Sequence, residues 1–267
     1  MTKSTKKVVL ITGVSSGIGL SAAQIFHDKG WIVVGTVRGN NTKSLAGMSI
    51  DIQEAEMTKP EDLKRVMELL HASYGRLDAL ICNAGYALIG PVDALDYTQI
   101  RDQYLTNTVA PAELTRLAMP IMKKQGGGAI VYVSSIVGRI GLAGFAMYSS
   151  SKWALEGLAE SLSVELSDEN IRIKLVEPSG VNTAFWSSLK RGKSRDWDNK
   201  ELGRIGAESG RSNHGLSSEK VAETIFVAAT DNSLRLRYPL GQTKMVALAK
   251  RIVPDTLFRK ILRRATR

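Results

Sequence analysis

Four apolar residues, Val8-Val9-Leu10-Ile11, run straight into Thr12-Gly13-Val14-Ser15-Ser16-Gly17-Ile18-Gly19, and an apolar-periodic stretch follows through Ile25 and Phe26. The order is buried strand, glycine turn, helix. Glycines let a backbone pass close to a pyrophosphate, and a helix N-terminus offers unbonded N–H groups and partial positive charge. This is the setting a dinucleotide-binding turn requires. A tight turn holding no ligand is the other reading of the same residues.

The bulk numbers narrow the choice. A chain of 267 residues, 43% of them hydrophobic, suits one large α/β domain. The one cysteine, Cys82, excludes an intramolecular disulfide and fits a reducing, cytoplasmic setting. His27, His71 and His214 are too scattered to suggest a metal site, so none is expected. No apolar run approaches the roughly 18 residues of a spanning helix. Met1–Lys7 is polar and basic, and the apolar run after it is too short for a secretory signal. The net charge of +10 sits almost entirely in Arg235–Arg267, which hold ten Lys/Arg and one Asp. A neutral body with a basic tail is not the footprint of a nucleic-acid binder.

Further strands are predicted at Trp31–Thr36, at a run ending Ile50-Asp51-Ile52, and at Leu77–Ile81, Ala129–Val133 and Ile171–Val176. Helices are predicted at Pro60–Tyr74, Ile100–Lys124, Tyr148–Leu166 and Glu219–Ala229. Beyond the second strand stand Val37 and Arg38, with no acid near. An acid there would bond a ribose 2′-hydroxyl, whereas Arg38 can pair a 2′-phosphate and Ser15 can add a hydrogen bond. The expected cofactor is therefore NADP(H) rather than NAD(H), unless Arg38 is only a solvated loop charge. Tyr148 and Lys152 lie four apart, on one helical face. A cation beside a phenol lowers its pKa and makes it a proton donor and acceptor. Ser135, at the end of the preceding strand, can hold a substrate oxygen in the same space. Ala184–Gly215 is polar and aperiodic, a loop of functional length. From Met245 onward, two short helical patterns are separated by Pro254. The second gathers Leu257, Phe258, Ile261 and Leu262 on one side, among Arg259, Lys260, Arg263 and Arg264.

The spacing Gly13-x-x-x-Gly17-x-Gly19, the sequence Cys82-Asn83-Ala84-Gly85, and Ser135, Tyr148 and Lys152 in that order resemble the classical short-chain dehydrogenase/reductase family. Residues 82–91 and 148–166 are most similar to its 17β-hydroxysteroid and retinol dehydrogenase branch. The resemblance implies a single-domain Rossmann-type α/β fold, a doubly wound parallel sheet of about seven strands with helices on both faces. It places Gly13, Ser15, Ser16, Gly17, Ile18 and Gly19 around the cofactor. It gives Asp51, with Ile52, to the adenine and sets Asn83, Ala84 and Gly85 beside the cofactor. Cys82 stands where the family has Asn and reads as a buried small residue. Asn107 becomes the fourth catalytic member with Ser135, Tyr148 and Lys152, the last also bonding the nicotinamide ribose. In Pro178-Ser179-Gly180-Val181-Asn182-Thr183, Ser179 replaces a usual Gly, while Thr183 bonds the nicotinamide carboxamide. Residues 184–215 become the substrate lid, with Phe185, Trp186 and Leu189 as pocket candidates. The helices carrying Asn107 and Tyr148 become the interface of a homodimer or homotetramer.

The expected activity is hydride transfer between NADP(H) and an apolar, steroid- or retinoid-like alcohol or ketone. Alternatives are a vestigial dinucleotide sensor and a lipid-carbonyl reductase held at a membrane surface by its basic C-terminus. A tail packed on the body with solvated charges is the favoured reading of Arg235–Arg267.

Overall fold

The computed structural model describes residues 5–39, 42–45, 47–183, 185, 189–192 and 215–265. In chain order the elements are β1 (Val8–Thr12), α1 (Gly17–Asp28), β2 (Ile32–Val37), β3 (Asp51–Glu54), α2 (Pro60–Tyr74), β4 (Ala79–Cys82) and β5 (Leu88–Ile89). There follow α3 (Tyr97–Tyr104), α4 (Ala110–Gln125), β6 (Gly128–Val133), α5 (Ala146–Glu165), β7 (Ile171–Glu177) and β8 (Lys190–Arg191). The chain continues with α6 (Ser218–Thr230), β9 (Arg237–Pro239), α7 (Thr243–Ile252) and α8 (Asp255–Ala265). Seven strands form one parallel sheet, as the family resemblance implies, and their order is β3-β2-β1-β4-β6-β7-β9. The two-residue strands β5 and β8 pair separately.

Both faces of the sheet are covered, which is why β1 reads as an unbroken apolar run. Successive side chains point to opposite faces. Val8 and Leu10 enter the core under α2, α4 and α5, with Leu63, Leu70, Leu114 and Leu155. Val9 and Ile11 enter the core under α1 and α6, with Ala22, Phe26, Val221 and Ile225. Phe26, Trp31 and Phe226 close that second core with edge-to-face contacts at ring separations of 5.0 to 6.3 Å. The chain switches direction across the sheet between β1 and β4, and at such a point a crevice opens beyond the strand ends.

Two expectations need correction. The third strand begins at Asp51 instead of ending there, with Val34 paired to Asp51 and Val37 to Glu54. The helix predicted over Ile100–Lys124 is two helices joined by a π-helical turn, Leu105–Val109. Of the predicted lid, Trp186, Lys193, Arg195, Asp196, Asp198 and Lys200 lie outside the described residues.

Candidate active site

A cleft of about 720 Å³ opens at the C-terminal ends of β1, β2, β4, β6 and β7. Its first wall is the glycine turn. Gly13 (φ +75°) and Gly17 (φ +56°) both need left-handed backbone, and a Cβ on Gly13 would meet the Ala84 Cα at 3.1 Å. Gly19 does not line the cleft. It is buried, and a Cβ there would lie 2.1 Å from the Gly13 carbonyl oxygen, so it seats α1 against the turn. Ser16 precedes α1 with extended backbone and no side-chain capping bond, and no acid occupies the first turn. Those first-turn N–H groups are open to an anion, and Ser15, Ser16, Gly17 and Ile18 line the space beside them. The cradle fits a pyrophosphate.

Asn83 knits the turn to the sheet. Its side-chain nitrogen donates to the carbonyls of Thr12 (2.9 Å) and Gly13 (3.2 Å). The Thr12 hydroxyl accepts from the backbone N–H groups of Asn83 (3.0 Å) and Ala84 (2.9 Å). Asn83, Ala84 and Gly85 all face the cleft, as does exposed Arg38 just past β2.

The residues expected at the adenine are not in this space. Asp51 and Ile52 sit at the start of β3, at the opposite end of the sheet, where the Asp51 carboxylate accepts from Tyr74 (3.1 Å) and Gln53 (2.7 Å). The cleft is lined instead by Ala55, Glu56, Met57 and Thr58, just past the end of β3. The strands are parallel, so their C-terminal ends share one edge of the sheet.

At the other end, Ser135, Tyr148 and Lys152 line the same wall. Ser135 leaves β6 in extended backbone, and its hydroxyl accepts from the Val137 N–H at 3.4 Å. Tyr148 is buried, and its pKa is pushed up to about 12 by burial, with the Ser135 hydroxyl opposing. The expected depression by Lys152 is not present. The Lys152 Nζ stands 5.9 Å from the phenol ring centre and donates to the Val133 carbonyl at 2.8 Å. Burial lowers its own pKa to about 8, against the pull of Glu156 one turn along α5.

Asn107 is buried at the centre of the π-turn and lies outside the cleft wall. Its amide donates to the Tyr86 carbonyl (2.9 Å) and the Ser151 hydroxyl (3.1 Å), and its oxygen accepts from the Tyr86 N–H (3.2 Å). A side chain at position 85 would wedge between Asn107 and Lys152, its Cβ 3.0 Å from Asn107 Oδ1 and 3.7 Å from Lys152 Nζ. Glycine there lets the two approach.

Pro178, Gly180, Val181 and Thr183 close the cleft above β7, and Thr183 packs on Gly17. Ser179 has a role that spacing did not reveal. Its hydroxyl accepts from the Gln242 N–H at 3.0 Å, tying this loop to the start of α7. The lining also holds the apolar Ile136, Val137, Leu142, Phe145 and Phe185, the last 5.9 Å ring to ring from Tyr148, beside Asp102, Thr106 and Lys190.

Residues 7–194 match the family model described as short chain dehydrogenase. The chain belongs to that family of nicotinamide-dinucleotide oxidoreductases. It is 29% identical to 3-ketodihydrosphingosine reductase of Bacteroides thetaiotaomicron, over 96% of this chain and 97% of that one. It is 36% identical to human retinol dehydrogenase 8 over 68% of this chain and 61% of that one, which agrees with the branch its motifs resemble. Among solved structures, a short-chain dehydrogenase from Streptomyces avermitilis superposes with a TM-score of 0.82 at 28% identity, covering 98% of both chains.

Proposed function

We propose that this oxidoreductase reduces an apolar ketone or aldehyde with NADPH and runs the same chemistry backwards on the alcohol. The observation that carries the reading is the gathering of Ser135, Tyr148 and Lys152 in one wall of a cleft whose other end is an uncapped glycine cradle. When bound, the nicotinamide supplies or accepts the hydride. The chain's own residues do the rest. The Tyr148 hydroxyl gives its proton to the carbonyl oxygen, and Ser135 fixes that oxygen by hydrogen bonding. Lys152, its amine 5.9 Å from the phenol ring centre, bonds the nicotinamide ribose. Asn107 holds the Tyr86 loop and the Ser151 region of α5 in register, so that Lys152 stays beneath the phenol.

Arg38 selects the 2′-phosphate, aided by Ser15, while Glu56 and Met57 flank the adenine. Thr183 bonds the nicotinamide amide. The apolar wall from Ile136 to Phe185 favours a hydrocarbon-rich substrate, and the names of the two relatives, a sphingoid-ketone reductase and a retinol dehydrogenase, support the same class.

The test is fluorescence titration of the purified protein with NADPH and NADH. NADPH binds more tightly, and Arg38→Asp costs about tenfold to a hundredfold in NADPH affinity, the worth of a charged hydrogen bond. Equal affinity for both cofactors removes Arg38 as the selector. Absence of binding sinks the dehydrogenase reading. Tyr148→Phe keeps NADPH binding and loses at least about a hundredfold in turnover of apolar ketones.

A further inference from the structure

The basic tail packs on the body through β9, but its two helices are covered only in part. Helix α7 is held at one flank only: Thr243 is buried, the Lys250 amine donates to the Arg139 carbonyl at 2.8 Å, and it lies 4.0 Å from the Trp153 ring centre. Helix α8 buries Phe258. The outer faces carry large apolar side chains in contact with solvent: Met245 (65% exposed), Leu248 (56%) and Ile252 (69%) on α7, Leu257 (51%) and Ile261 (50%) on α8. Their spacings of three and four residues draw one stripe along each helix. Exposed Lys244, Arg251, Lys260, Arg263 and Arg264 flank the stripes. The one acid on these two helices, Asp255, is already paired with Arg259 at 2.7 Å.

An apolar stripe edged by cations, with no opposing acids, complements one kind of surface: a bilayer with anionic headgroups over hydrocarbon. A protein partner of ordinary charge would leave these five cations unmatched. A nucleic acid would leave five apolar side chains without a base-like partner. No helix among the described residues is long and apolar enough to span a membrane, so the contact is with the surface.

We infer that α7 and α8 form a docking face for anionic membranes, seated in the interfacial plane with Met245, Leu248, Ile252, Leu257 and Ile261 in the acyl boundary. The Ser179–Gln242 bond fixes where the face leads. Ser179 lines the cleft, so the docked helices begin at the wall of the cleft. A water-poor alcohol or ketone can then pass from the bilayer to Tyr148 without crossing bulk water. The docking face stands whether or not the catalytic reading does, because its readout is binding.

The experiment is flotation of the full-length protein with phosphatidylcholine vesicles, with and without phosphatidylglycerol, at low and high salt. The protein floats with anionic vesicles at low salt and is released at high salt. Leu257→Glu/Ile261→Glu and Arg263→Glu/Arg264→Glu each weaken binding by about tenfold or more, since each basic residue near such a surface contributes about fivefold. All substituted side chains are exposed, and an unchanged thermal midpoint and NADPH affinity certify the fold of the variants. Failure of the parent protein to float with anionic vesicles overturns the inference. So does flotation that survives Leu257→Glu/Ile261→Glu. Light scattering that finds this variant in a smaller oligomer than the parent overturns it too, by assigning the face to a second copy of the chain.

Discussion

The Lys152 amine donates to a carbonyl, and burial pushes its pKa down to about 8 from the 10.5 of an ordinary lysine. Between those values the unfolded chain holds the proton and the folded chain does not, so stability rises with pH across that window. Below pH 8 the full penalty is present, about 3 kcal/mol from the size of the shift. In the cofactor-free protein, Lys152→Met is therefore more stable than the parent at neutral pH by up to about that amount, and the advantage shrinks towards pH 10. Urea unfolding at the two pH values checks it; a gap that does not change with pH sinks the idea. Gly19→Ala acts in the other direction. Its Cβ would strike backbone 2.1 Å away, so α1 must shift, and both stability and NADPH affinity fall in calorimetric titration.

At the scale of elements, α5, β7 and β9 meet over two buried carboxylates. Glu156 and Glu177 share the guanidinium of Arg237, each 3.3 Å from its Nε, with Arg139 at 3.8 and 3.6 Å and exposed Glu160 on the rim at 2.8 Å from Arg237. Burial, with Glu156 adding to it, pushes Glu177 up to about 7. A carboxyl raised in the folded state loses stability as pH rises through that value. Arg237→Met removes the cation these acids share, and costs about 3–5 kcal/mol at pH 8. At pH 5.5 it costs less, because one carboxyl takes up a proton; chemical denaturation at both pH values reads the difference.

None of this cluster was legible in the sequence, because Glu156, Glu177 and Arg237 are far apart in the chain and meet only where α5 packs against the paired β7 and β9. The glycine turn, by contrast, announced itself, since Gly13 and Gly17 occupy backbone that other residues rarely adopt. So did the burial of β1, which is apolar on both faces. The third strand misled because it is an edge strand with only partial burial: Ile50, Ile52 and their polar neighbours alternate too weakly to mark where it ends. The resemblance implies a kink at Asn107, but its π-helical form escaped because the residues around it fit an ordinary helical pattern. The raised Tyr148 pKa escaped because spacing gives the neighbour, Lys152, and not the depth at which both are buried.

For the whole molecule, the family resemblance assigns α4 and α5 to contact with a second copy. Val109 and Val164, beside α4 and near the end of α5, are exposed apolar side chains in the described chain. Light scattering is expected to return a dimer or tetramer, and Val164→Glu a smaller species; an unshifted mass places the interface elsewhere. The molecule also carries a clock. Cys82 ends the central strand β4, is 3% exposed, and has its thiol pKa pushed far up by burial. A thiol-specific dye can reach it only when the middle of the sheet opens. With no second cysteine to confuse the signal, the rate of labelling times the native opening of the core without any engineered probe, and bound dinucleotide should slow it in proportion to the affinity of the cleft.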